Sequence, residues 1–158
     1  MSDALINGQR FRTFNVIDDF NREVLNIEID TSLPSARVVR VLEQITSWRG
    51  CPEKLRMDNG PELISVKLAD WAEKNDVTLE FIKPGKPTQN SYVERFNRTY
   101  RNEILDFYIF KSLKEVRKIT KKWIVEYNTE RPHESLGNVT PAEYLMLNSS
   151  EISTFVWN

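Results

Sequence analysis

Cysteine and histidine are almost missing from this sequence, which holds one of each in 158 residues. Cys51 has no second cysteine with which to form an internal disulfide. One His with one Cys cannot build the nitrogen and sulfur set of a zinc site. Cys51 therefore reads as an ordinary small apolar residue. No stretch approaches the ~18 consecutive apolar residues of a membrane span. The opening "MSDALINGQRF" also lacks the basic-then-apolar layout of a secretory signal. A soluble, cytoplasmic protein without a membrane partner is expected. Internal repeats and low-complexity tracts are absent as well.

What is present is a 40% apolar chain, enough for one α/β or α+β domain with a proper core. The net charge of −1 hides an uneven distribution. Phe81 to Lys122 carries eleven Lys/Arg against four Asp/Glu, a local balance of +7, while the remainder balances to −8. Such asymmetry suits a basic face for a polyanion on an acidic scaffold, although long surface helices also carry lysines merely for solvation.

"RFRTFNVIDDFNREVLNIEID" reads as two β runs, residues 10–17 and 23–30, joined by a polar turn. Asn7-Gly8 is a turn signal that implies a short earlier strand, antiparallel to the first run. From Pro34 to Trp48 the apolar positions follow helical spacing. "EKLRMD" is a strand, "ELISVKLADWAEKN" a helix and "VTLEFIK" a strand. The order β-β-β-α-β-α-β, followed by helices, predicts a mixed α/β sheet with three antiparallel strands and then two parallel ones, flanked by helices. "KPGKPTQN" cannot be regular structure. "SYVERFNRTYRNEILDFY" is helical: Val93, Phe96, Tyr100 and Ile104 form an apolar seam, and Glu94, Arg98 and Arg101 a polar stripe about 100° away. Further helices are expected at about Leu113 to Tyr127 and from Thr140, an N-cap followed by Pro141. The predicted division is a core over 1–108 and a helical extension over 109–158.

Asp58 ends a strand in "RMDNGPEL" and Glu94 stands near the start of a helix, with 35 residues between them. Each has a local explanation. Asp-Asn-Gly is a common turn signal, and Ser91-x-x-Glu94 is a capping box. Yet a strand-end Asp and a helix-borne Glu meeting at one end of a sheet are what Mg²⁺-dependent phosphoryl transfer requires. The ion takes hard oxygen ligands and sits between carboxylates and substrate phosphate.

"RMDNGPEL", the spacing of 35, "PGKPTQNSYVERFNRTYRNEIL" and "YNTERPHESLGNVTPAEYL" together resemble the catalytic core of bacterial insertion-sequence transposases of the retroviral-integrase type, over essentially the whole chain. The resemblance implies an RNase H-like fold and an Asp, Asp, Glu triad that binds Mg²⁺ or Mn²⁺, with Asp58 as the second acid and Glu94 as the third. It further implies that Lys86, Asn90, Arg98 and Arg101 contact DNA, both transposon ends and target. The implied activity is DNA cleavage and strand transfer by a homo-oligomer in the bacterial cytoplasm, associated with the nucleoid.

By the same resemblance the first acid belongs a few residues before the Asn-Gly turn, a place that falls just upstream of Met1. Asp3 lies about four residues further along, ~13 Å away at strand rise, and is a poor substitute. Asp18 and Asp19 read as turn formers. A truncated and catalytically impaired chain is therefore expected. The alternatives are a non-catalytic DNA-binding remnant that acts through mixed oligomers, or an RNase H-like nuclease. His133, in "RPHESL", reads as a packing and turn element, Trp48, Trp71 and Trp123 as core, and Tyr92 as packed or stacked on a DNA base.

Overall fold

The computed structural model describes residues 1–57, 65–83, 85–86, 88, 91–148 and 154–157. Strand β1 (Ser2–Ala4) pairs antiparallel with β2 (Arg10–Asp18), and β2 pairs antiparallel with β3 (Val24–Asp30). Gly8, in the intervening Asn-Gly turn, has φ +86°, a conformation that side chains other than Asn and Asp rarely adopt. Helix α1 (Ser35–Arg49) leads to β4 (Lys54–Met57), and helix α2 (Val66–Lys74) leads to β5 (Thr78–Phe81), which is parallel to β4. The three antiparallel and two parallel strands stand as the pattern predicts.

A sixth strand, β6 (Thr154–Trp157), has no counterpart in the sequence reading. It runs antiparallel to β2 and parallel to β4, and so gives the sheet path β1-β2-β6-β4-β5. Arg12 pairs with both Ser2 and Asp30, and Val16 with both Trp157 and Asn26. Strands β1 and β6 therefore lie end to end along one edge of β2, with β3 on the other.

Alternation along β2 sends Phe14 and Val16 to one face of the sheet and Phe11 and Ile17 to the other. The first face packs on α1 and α2 through Val38, Val41, Leu42, Ile45, Leu68 and Trp71, with Leu55, Met57 and Phe155 from the strands. The second packs on helices α3 (Ser91–Tyr100), which runs on into a π-helical turn over Arg101–Leu105, and α4 (Leu113–Thr129). Helix α5 (Pro141–Leu147) opens with a full capping box: Thr140 Oγ1 accepts the Glu143 N–H, and Glu143 accepts the Thr140 N–H. Ser91 is the first described residue of α3.

Two sequence expectations need correction. Trp48 is 57% exposed, because the inward place in the last turn of α1 goes to Arg49, whose guanidinium reaches Asp18 at 2.7 Å and Glu23 at 2.9 Å. Asp18 is more than a turn former. It is fully buried, with one oxygen on Arg49 and the other accepting the Phe20 N–H. Asp19 does stay at the turn, paired with Arg22.

Tyr100 anchors α3. Its ring is fully buried against Trp123, and its hydroxyl shares a 2.7 Å hydrogen bond with Thr120. Burial pushes its phenol up to about 12 from 10.0; the Thr120 bond lowers it and the Asp3 carboxylate raises it. Burial likewise pushes Tyr127, on α4, up to about 12. In the unfolded chain both ionise near pH 10, while in the folded chain they stay neutral. Their contribution to stability is thus complete below pH 10 and lost as pH rises toward 12, on the order of 2 kcal/mol per ring. Urea midpoints measured from pH 9 to 11.5 should fall, and Tyr100→Phe should fall less steeply.

Candidate active site

Helix α3 buries Val93, Phe96, Asn97 and Tyr100 and exposes Glu94, Arg95 and Arg98. The seam and the polar stripe beside it stand as the spacing requires. Asn97 ties the helix to the sheet by accepting the Asn15 side-chain N–H at 2.8 Å, both residues being buried. Glu94 and Arg98 are therefore held side by side on a rigid element, and among the described residues neither takes part in an ion pair. Arg101 is engaged: it donates to the Ser2 carbonyl at 2.9 Å and pairs with Asp106 at 3.4 Å, fastening the end of α3 to β1. Lys86 is exposed in the segment between β5 and α3. Asp58 and Asn90 lie outside the described residues, Asp58 one position past the end of β4.

A divalent cation needs hard oxygen donors, and the Glu94 carboxylate offers two without a competing cation. No group of three or more His, Cys, Asp or Glu that could hold a metal ion occurs among the described residues. Asp3 does not complete one. Its carboxylate accepts the Ala4 N–H at 2.7 Å and bears on Tyr100, six residues and roughly 9 Å along the helix from Glu94. Asp18, buried on Arg49, is equally committed elsewhere. The chemistry of Glu94 together with a strand-end Asp suits the ion, with Glu94 as the described member of the pair.

Sequence reasoning missed a cluster on the next stripe of α3. Tyr92 and Arg95 line a cavity of about 160 Å³ with Arg22, Tyr127, Arg131 and His133. These residues come from four separate segments, so no local spacing announces them. His133 does pack as expected, its ring 4.9 Å from that of Tyr127 and its backbone bridged to Val139. Burial holds its pKa below 6.5, and the charges of Arg131 and Arg22 act in the same direction.

A mixed sheet in this order, with an acid following its fourth strand and another on the helix beyond its fifth, defines an RNase H-like core. Family models described as integrase core domain match residues 3–87 and 75–141. The chain belongs to the integrase core domain family. It is 41% identical over 142 residues to the insertion element IS407 uncharacterized 31.7 kDa protein of Burkholderia multivorans, which covers 90% of this chain and 51% of that protein. It is also 41% identical to the IS476 uncharacterized 39.2 kDa protein of Xanthomonas euvesicatoria, of which it covers 41%. It thus spans about half the length or less of these curated relatives. The HTLV-2 integrase catalytic core domain in complex with magnesium superposes with TM-score 0.70 at 16% identity, over 91% of this chain and 90% of that one. The BIV integrase core does so with TM-score 0.64, over 95% and 93%. No helix among the described residues is long and apolar enough to cross a membrane.

Proposed function

We propose that this chain is the DNA-handling core of a transposase, built for cleavage and strand transfer on transposon ends and target DNA. The observation that carries the reading is Glu94 beside Arg98 on the exposed stripe of α3, a helix fixed to the sheet through Asn97. Asp58 and Glu94 would hold Mg²⁺ or Mn²⁺, which supplies Lewis-acid stabilisation of the phosphoryl oxygens when bound. In the first step a water oxygen bonds to phosphorus and the strand's 3′-oxygen leaves as a hydroxyl. In the second, that 3′-hydroxyl bonds to a target phosphorus and releases a target 3′-hydroxyl. Lys86 and Arg98, joined by the part of Arg101 left free by Ser2 and Asp106, neutralise the phosphates and Asn90 positions them by hydrogen bonding, so affinity falls as salt rises. Residues 1–108 supply most of the core, α4 packs on it and β6 completes its sheet, and the working form is a homo-oligomer.

Because Asp3 is turned to the Ala4 N–H and Asp18 is buried on Arg49, neither stands in as a further ligand, and cutting by this chain is expected to be slow. The same observation favours a second reading, a non-catalytic DNA-binding remnant that joins mixed oligomers. A Mn²⁺-dependent nicking and strand-joining assay on labelled duplexes, comparing the chain with Asp58→Asn and Glu94→Gln at two salt concentrations, decides between them. Activity lost in both variants supports the catalytic reading. Salt-sensitive binding unchanged by Glu94→Gln and without any cutting supports the remnant, and cutting without joining points to a nuclease.

A further inference from the structure

We infer that the cavity between α3, the β2–β3 turn and the segment after α4 is a phosphate-binding pocket, distinct from the stripe that carries Glu94. Three guanidinium groups, one phenol pair and the only imidazole converge there: Arg22, Arg95, Arg131, Tyr92, Tyr127 and His133. Arg22 lies over the Tyr92 ring, its Cζ 3.3 Å from the centroid, and Arg131 stands 5.1 Å from that of Tyr127. The rings leave the guanidinium edges as the polar surface of the cavity. Two of these cations have carboxylate partners: Asp19 holds Arg22, and Glu103 holds Arg131 at 2.5 Å. Arg95 has none, so among the described residues the cluster holds one guanidinium more than it has carboxylate partners. Two side-chain nitrogens of its lining residues lack partners as well. Arg22 Nε and His133 Nε2 are buried atoms with no hydrogen bond among the described residues. A compact, multiply charged tetrahedral anion fits these requirements, and a volume of about 160 Å³ admits one.

The phosphate has two chemical sources, a DNA strand or free phosphate. The strand is the source consistent with the proposed function, on which this assignment of source rests: Tyr92 and Arg95 flank Glu94 on the same helix, so a strand crossing Glu94 reaches the cavity mouth.

His133 makes the pocket readable, since the chain has a single histidine and hence one imidazole NMR signal. The charged and titratable groups lining the cavity with it are Arg22 from the β2–β3 turn, Tyr92 and Arg95 from α3, Tyr127 from α4 and Arg131 beyond it, with Glu103 paired to Arg131. An anion seated among them stabilises the imidazolium. In EDTA, without metal, the His133 titration midpoint of the whole chain should rise by roughly one unit in inorganic phosphate, against sodium chloride of equal ionic strength. A short single-stranded oligonucleotide should produce the same rise, and Arg95→Gln, at an exposed position, should remove most of both. A rise with both probes supports a pocket for strand phosphates; a rise with inorganic phosphate alone supports the pocket and assigns it to free phosphate. No rise with either probe, or a rise undiminished in Arg95→Gln, overturns the proposal. Glu94→Gln should keep the shift, so a failure of the cutting assay and a failure of the pocket are separate results.

Discussion

Phe155→Ala is expected to lower the free energy of unfolding by about 3–5 kcal/mol, a large share of the stability of a domain of this size. Phe155 is fully buried and packs within the cluster formed by Val16, Leu55, Met57, α1 and α2. Its strand matters more than its ring alone. Among the described residues β2 and β4 share no direct pairing, and β6 hydrogen-bonds to both. A cavity at Phe155 loosens the strand that, among the described residues, joins the antiparallel and parallel halves of the sheet by hydrogen bonds. Phe155→Leu should recover most of the loss, and Met146→Ala, at an 82% exposed position, should stay within about 0.5 kcal/mol of the parent. Urea unfolding followed by circular dichroism measures all three. A loss below about 1 kcal/mol for Phe155→Ala would show that β6 is not part of the cooperative unit.

Arg49→Met should cost a similar amount, about 3–5 kcal/mol, for an electrostatic reason. The substitution keeps an unbranched apolar stem as far as the ε position and removes the cation that faces Asp18, Glu23 and the Asn21 side-chain oxygen. Asp18 is left fully buried without its partner, which is the costly way to break a buried pair. Adding Asp18→Asn removes the stranded charge yet keeps an oxygen for the Phe20 N–H, so the double variant should be more stable than Arg49→Met alone. Strict additivity of the two changes in a double-mutant cycle would refute the coupling.

These two sites mark where the sequence stops being legible. The hairpin read over 10–17 and 23–30 is found as Arg10–Asp18 and Val24–Asp30, because alternation and a polar turn are local signals. The Thr140-Pro141 helix start is local too, and is found with both bonds of its box. β6 is four residues long, and its partners in β2 stand about 140 positions earlier, so nothing in "TFVW" announces a central strand. Asp18 reads as a turn residue because Arg49, which defines its role, is 31 positions away. The same holds at the candidate site. The stripe of Glu94 and Arg98 follows from helical spacing, and Asp58 from the strand end and the resemblance. The arginine cavity is assembled from four segments and could be seen only in three dimensions.

The end-to-end placement of β1 and β6 along one edge of β2 also governs how the chain reaches its fold. Strand pairing between Val16 and Trp157 closes a loop of about 140 residues, which gives the fold a high contact order and a slow final step. Synthesis at ~5–20 residues per second leaves β2 and β4 complete, with their inner edges unpaired, for several seconds before the last strand exists. During that interval the half-made sheet is an acceptor for any extended segment, including one from a neighbouring nascent copy. Yield on expression should therefore depend on translation rate and chain concentration more steeply than the stability of the finished domain would suggest.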